Sequence, residues 1–416
     1  MSSQRFSFDA WLLGIGMLAS TWSQLRIPGL RVGVGEFALA MWIGLQAVRV
    51  VARQRNCQLS MPTALVPIYL LGAISIASFS SIEAIARGYV AAGAFPIDIL
   101  AYILGAVCAF LMASDDDDQR IDLAFFACSS LFIAMFVLTA GIAFFSLDLF
   151  LRLVVYEGFR FTGFSENPNQ LAFVAIPFLW IAIRTARRAS GAKRAVAVIA
   201  ATCIAAIGVA TLSDALFLAW GLTGVCSLAF YTWNWLRRSR PTAGVFMQLF
   251  VVIPLVVAML GIQFSAQISS RMMSFVDGVY SEGDQASDRL SLWRNASDVA
   301  DRWPLQGLGP GGHSGLLRSL DGMEAHNSFL DWATVAGLPA AISLGFIVLC
   351  ALAGLLLRTE YELALALSAI VVFSMFHFVL RQPVFWLFLA LALRVGWRQQ
   401  KESATYLRRR QSEAFT

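Results

Sequence analysis

Charge is what this sequence has least of. Only 14% of its 416 residues are Asp, Glu, Lys or Arg, against about 25% in soluble domains, and its mean hydropathy is +0.69. That balance excludes a soluble globular domain. Lysine is nearly absent: of 31 basic residues only Lys193 and Lys401 are lysine. Histidine occurs three times, at His313, His326 and His377. The six cysteines have no metal-site spacing. They fall in expected spans or on the expected cytoplasmic side, so a periplasmic disulfide framework is excluded. There is no Walker or Rossmann glycine pattern and no His-Glu-x-x-His. Carboxylates on the expected outer side are scattered, so no metal is expected and no cofactor. No internal repeat is visible, and Asp115 to Asp118 is the only low-complexity run.

What the sequence has in abundance is apolar runs. Many exceed the roughly 18 residues needed to cross a bilayer. They predict an all-α polytopic membrane protein of about 12 transmembrane helices, one integral unit over 1–416. The spans are expected at about 10–23, 34–51, 62–80, 95–113, 121–145, 168–184, 195–212, 214–235, 243–263, 338–357, 361–380 and 383–398. Twelve spans put both termini on one side. With the termini in the cytoplasm, the inner loops and tails hold 20 of the 31 basic residues. Arg184, Arg187, Arg188, Lys193 and Arg194 form the densest loop among them, as the positive-inside rule requires. The net charge of +5 is therefore a topology signal and a lipid-headgroup contact, and no nucleic-acid partner is implied.

The polar residues left over gather in one place. The loop over 263–336 is the longest outer segment, and within it Asp288 to Asn327 is the stretch where chemistry in water has room. Ser287 to Trp303 predicts a surface helix, with Leu290, Trp293, Ser297 and Ala300 on one face. Arg289 then falls in its first turn, where a cation opposes the helix dipole unless an anion binds there. Arg294 and Arg302 fit the exposed face. Gly307 to Gly315 predicts a tight turn, and His313 inside it reads as a surface histidine, too loosely held for proton transfer. His326 precedes Asn327, which can cap a short helix over Ser328 to Ala336 that breaks at Gly337 and Pro339. An imidazole at that break can act as a general base near neutral pH. His377 reads as a buried mid-span residue. Arg160 lies seven residues before Asn167-Pro168, where an arginine either contacts lipid headgroups or, beside a helix N-terminus, makes an anion site. That pair is a cap-and-proline signal which aims a helix N-terminus at the outer surface.

Four fragments, RFTGFSENPNQLA at Arg160, DRLSLW at Arg289, PLQGLGPGGH after Pro304 and AHNSFLDWATVAGLPAA at His326, resemble in order and separation the O-antigen ligase and polymerase superfamily of bacterial inner-membrane glycosyltransferases. The resemblance covers roughly Arg160 to Ala341. It implies a GT-C-like fold and metal-independent, inverting transfer at the periplasmic face. The donor it implies is a glycan on undecaprenyl pyrophosphate. Arg160 and Arg289 would hold the pyrophosphate and His326 would work at the acceptor hydroxyl, with His313, Asn327 and Asn167 as secondary candidates. The single large loop is more similar to the ligase, whose acceptor is lipid A-core oligosaccharide, than to the polymerase, which joins two lipid-linked repeats. A protein O-glycosylating relative and a transporter are the lesser alternatives.

Overall fold

The computed structural model describes residues 8–27, 32–53, 61–90, 95–114, 118–144, 154–156, 160–239, 283–313 and 323–397. Thirteen α-helices run through them: α1 Phe8–Ala19, α2 Val34–Arg53, α3 Met61–Ala86, α4 Phe95–Ser114, α5 Asp118–Phe144, α6 Pro168–Arg188, α7 Gly191–Ala210, α8 Asp214–Ser239, α9 Gly283–Arg302, α10 Ser328–Ala336, α11 Leu338–Leu357, α12 Tyr361–Ser374 and α13 Pro383–Trp397. A two-residue antiparallel ladder, β1 Val155–Tyr156 with β2 Arg160–Phe161, precedes α6.

Seven of these helices are long and apolar enough to cross a membrane, and α1, α8, α12 and α13 carry shorter apolar stretches. The chain is an all-α polytopic membrane protein. Helices coincide with eleven of the twelve expected spans, while the one at 243–263 lies outside the described residues. Large apolar side chains such as Phe79, Leu100, Ile342, Phe346 and Leu349 stand exposed on the helix surfaces. In lipid they need no further cover, because the acyl chains around them are as apolar as they are. The core lies between α1, α2, α4, α5, α6, α12 and α13, where Trp42, Tyr102, Phe132, Phe173, Phe178, Phe373 and Trp386 are fully buried.

Two departures from the expected spans shape the site. The span expected over 361–380 stops as α-helix at Ser374. Residues 375–382 then form an irregular turn before Pro383 opens α13. His377 therefore lies in an inter-helix turn, half-buried, and not mid-span. In addition, α10 enters the bundle as a buried half-helix. Its Trp332 indole donates to the Tyr69 hydroxyl of α3, which donates to the Ala340 carbonyl at 2.6 Å. Trp332 also packs on Tyr102 and Trp386 with ring centroids 5.2 and 6.1 Å apart. The expected break after Ala336 is present, with Gly337 at φ 86°.

Alternation of helix direction collects two opposite ends. At one, Asp9 of α1 meets Gln46 and Arg49 of α2 and Arg120 of α5. Nearby Arg184, Arg187 and Arg188 of α6 pair with Glu360 and Glu362 at the start of α12. At the other end lie the N-termini of α4, α6, α10 and α13, the C-termini of α3 and α12, and the glycine-rich segment that follows α9.

Candidate active site

The glycine-rich segment is clamped backbone to backbone. Leu308 N donates to Thr334 O at 2.7 Å, Gly309 N to Val335 O at 2.9 Å and Leu338 N to Pro304 O at 2.8 Å. A Cβ on Gly309, at φ 86°, would lie 1.8 Å from Ser81 Oγ and 2.4 Å from Ala77 O of α3. On Gly307, at φ 65°, it would lie 2.5 Å from Thr334 O. Only glycine fits either place. Over Gly307 to His313, the described part of the expected tight turn, the backbone packs on α3 and α10.

This clamp overturns the surface reading of His313. The side chain is buried, with the residue 4% exposed. Its Nε2 lies 3.3 Å from Asp98 Oδ2 of α4 and its Nδ1 3.5 Å from Asp331 Oδ1 of α10. The Phe378 ring packs T-shaped against it, with ring centroids 5.2 Å apart. Burial by itself favours the neutral ring, but Asp331 and Asp98 outweigh it and hold the pKa above the ordinary 6.5. The physical reason sequence reading missed this is distance along the chain: Asp98 lies over two hundred residues away.

Asp98 is itself shared. Its Oδ2 accepts from Gly311 N at 3.0 Å and its Oδ1 from Arg381 Nη1 at 3.1 Å. Arg381 also pairs with Glu324 and lies over the Phe378 ring at 5.3 Å. Asp331, fully buried, accepts from Ala325 N at 2.7 Å and from Asn327 N at 3.2 Å. Asn327 caps α10 as expected, its Oδ1 accepting from Phe329 N and Leu330 N. The Trp293 indole of α9 donates to Ala325 O at 2.8 Å. Ser328 Oγ donates to His377 O at 2.7 Å and accepts from Val379 N at 3.0 Å, tying the turn before α13 to the α10 cap.

His326 sits in the middle of these contacts, half-buried, at φ 53°. A non-glycine residue held in the left-handed region is uncommon, and such strain persists only where its surroundings impose it. Its ring faces His377 at 6.3 Å. His377 in turn lies 4.7 Å from Phe373, which packs on Phe173 of α6 at 5.9 Å.

Phe173 leads back to the second polar locus, at the start of α6. Asn167 caps that helix, its Oδ1 accepting from Asn169 N at 2.8 Å, and Pro168 follows at the first helical position. Arg160, half-buried, donates through Nε to Thr211 O at 3.1 Å and through Nη2 to Asn169 Oδ1 at 3.4 Å. Arg160 therefore stands at an α6 N-terminus on the same end of the bundle as His326. Arg289 lies within α9, one turn before Trp293. Because α9 begins at Gly283, Arg289 is past the first turn, and the dipole argument for it does not hold. Its side chain lies outside the described residues. The buried face of α9 is Leu292, Ala296, Val299 and Ala300, while Leu290 and Trp293 are partly exposed, so the expected face is rotated. Arg294 and Arg302 are exposed, as expected.

Among the described residues no group of three or more His, Cys, Asp or Glu side chains is placed to hold a metal ion. The residues that sequence reasoning missed are Asp98, Glu324, Asp331 and Arg381. The signal available was their position at or just beyond the ends of apolar runs, where a charge is costly unless paired.

The arrangement defines a class: a membrane-embedded helical protein with one polar, partly buried site where several helix termini meet. Residues 199–345 match the family described as O-Antigen ligase, which supports the resemblance to the O-antigen ligase superfamily. The match takes in Arg289, His313, His326 and Asp331 and leaves out Asp98, Arg160 and Arg381. No curated protein matches the chain.

Proposed function

We propose that the protein is an O-antigen ligase: a metal-independent, inverting glycosyltransferase that moves a glycan from undecaprenyl pyrophosphate to lipid A-core oligosaccharide. On this reading the chain is a single unit in a bacterial inner membrane, GT-C-like in its design. The arginine-rich end and both termini are cytoplasmic, and the loop over 263–336 carries the active site on the periplasmic side. The observation that carries the reading is His326, fixed in a left-handed conformation on the same end of the bundle as Arg160 at a helix N-terminus.

The chemistry follows from those parts. Arg160, with the N-terminus of α6, and Arg289 bind the pyrophosphate, since guanidinium forks make paired, charge-assisted contacts with phosphate oxygens. The acceptor hydroxyl attacks C1 of the donor sugar from the face opposite the pyrophosphate, and a C–O bond forms. The C1–O bond to pyrophosphate breaks with its electron pair on the leaving oxygen, where the arginines stabilise the charge. His326 takes the hydroxyl proton. Asn167 and Asn327 serve as helix caps and hold the two loci in place.

The test is transfer from purified undecaprenyl pyrophosphate glycan in the presence of EDTA, with lipid A-core as acceptor. A ligase yields glycan on lipid A-core. If the product is instead a ladder of longer lipid-linked glycans, whether or not lipid A-core is present, the protein is a polymerase using the same donor. Transfer to a protein acceptor, or movement of the donor across the bilayer without transfer, would replace the reading altogether.

A further inference from the structure

Both ring nitrogens of His313 lie within ion-pair distance of carboxylate oxygens, Nε2 3.3 Å from Asp98 and Nδ1 3.5 Å from Asp331, without a well-aligned hydrogen bond to either. An ionised carboxylate only accepts, so neither nitrogen can be the acceptor that a neutral imidazole must contain. With a carboxylate beside each nitrogen, the charged ring suits these surroundings better than the neutral one. The charges around it agree. Asp98 belongs to α4, Asp331 to α10, Arg381 to the turn between α12 and α13, and Glu324 to the segment before the α10 cap. Two of these carboxylates, Asp98 and Glu324, face the one guanidinium, Arg381, and Asp331 has no arginine or lysine partner among the described residues. A buried carboxylate in that position needs a cation or a set of hydrogen bonds. Asp331 has His313 and two backbone N–H groups, those of Ala325 and Asn327.

Those two N–H groups flank His326. Glu324, one residue further back, is held by Arg381, which is held in turn by Asp98. The segment from Glu324 to Asn327 is thus fastened at three points, Glu324 to Arg381 and the Ala325 and Asn327 N–H groups to Asp331, and His313 lies between Asp331 and Asp98, the carboxylate that holds Arg381.

We propose that His313 is a positioning residue: held as an imidazolium between Asp98 and Asp331, it locks the 324–327 turn and thereby aims the His326 ring at the acceptor hydroxyl. The proposal rests on the ligase reading for what His326 does there, and it adds a role for a histidine that touches no substrate. It also gives the site an upper pH boundary. As pH rises through the elevated pKa of His313 the bridge loses its charge, the buried carboxylates repel, and the turn loosens. Below the ordinary imidazole value the ring is protonated whether held or free, so the bridge is fully present there.

The experiment is a pH titration of the ring nitrogens by NMR in ¹⁵N-histidine-labelled protein. The chain has three histidines, and His326→Ala and His377→Ala assign the remaining signal to His313. His313 is expected to stay an imidazolium to a pH above 6.5. Asp98→Asn keeps an acceptor for Gly311 N but removes a charge, and should lower that transition. In transfer assays kcat should fall on the alkaline side with the same transition, and Asp98→Asn should move that limb down in pH while the KM for undecaprenyl pyrophosphate glycan holds. His313→Gln should lower kcat about 10- to 100-fold at every pH, the effect of leaving buried groups unpaired, and abolish the limb. A merely structural histidine would lower stability without moving a pH limb. A wild-type His313 that titrates at or below 6.5 overturns the proposal without any variant at that site, and so does an alkaline limb that stays in place in Asp98→Asn. Failure of transfer with every glycan acceptor overturns the ligase reading, while the ring titration still decides the state of His313.

Discussion

The two ends of the helix bundle use the same ingredients for different ends. At the arginine-rich end, Asp9, Glu360 and Glu362 meet side chains: Gln46, Arg49 and Arg120 around the first, Arg184, Arg187 and Arg188 around the other two. These pairs join one helix to another. At the opposite end, Asp98 and Asp331 also accept backbone N–H groups, those of Gly311, Ala325 and Asn327. A carboxylate that holds backbone fixes the conformation of a loop, and a loop so fixed can keep His326 and His313 at positive φ. A carboxylate that holds a half-exposed arginine fastens elements whose shape the helices already determine. Chemistry belongs where the backbone is held, because a reacting group must be kept within a fraction of an ångström of its productive position.

That contrast can be broken most forcefully at His326. His326→Ala should lower turnover by about 10² to 10⁴, the contribution of a positioned general base, while donor binding and folding persist. In the wild type the rate should fall at acid pH as the base is protonated, and the variant should lack that fall. A variant of nearly wild-type activity assigns the base elsewhere.

Arg160→Ala should weaken donor binding or turnover about 10- to 100-fold, the range for hydrogen bonds to a charged partner. Arg160→Lys should recover only part of it, since an ammonium cannot make the paired contact. Arg289→Ala should match it, and the exposed Arg294→Ala should not. Equal, small losses at all three would mean that these arginines touch only lipid headgroups. The readout is a donor titration at saturating acceptor.

Gly309→Ala forces a side chain into a left-handed backbone and onto the Ala77 carbonyl. It should destabilise the clamp by about 1–3 kcal/mol, seen as an earlier thermal transition, and lower activity with it. An unchanged transition would show that the clamp yields freely.

At the far end the effects should be smallest. Arg188 is half-exposed where it pairs with Glu360, so Arg188→Ala should cost about 0.2–1 kcal/mol and leave turnover as it was. A large loss of transfer there would mean the two ends are coupled. Removing divalent metal with EDTA should change nothing at either end, and restoration of a lost activity by Mg²⁺ or Mn²⁺ would defeat the metal-free mechanism.

How much of this was legible in the sequence depends on how far apart along the chain the partners lie. Apolar run lengths alone determine the helices and the membrane, because the bilayer demands about 20 apolar residues per span and satisfies no backbone group for them. Local signals determine the two caps: Asn167 before Pro168 and Asn327 before Ser328 act on N–H groups two or three residues away, and both do so here. The break at Gly337 and the tight glycine turn are local for the same reason. Only the tertiary structure decides that His313 is buried, since its partners come from α4 and α10. It also decides that His377 leaves the span for a turn held by Ser328, that Arg289 falls past the first turn of α9, and that Arg381 reaches both Asp98 and Glu324. Ion pairs form between groups that folding brings together, and no periodicity in the chain records which carboxylate, two hundred residues away, will meet which ring.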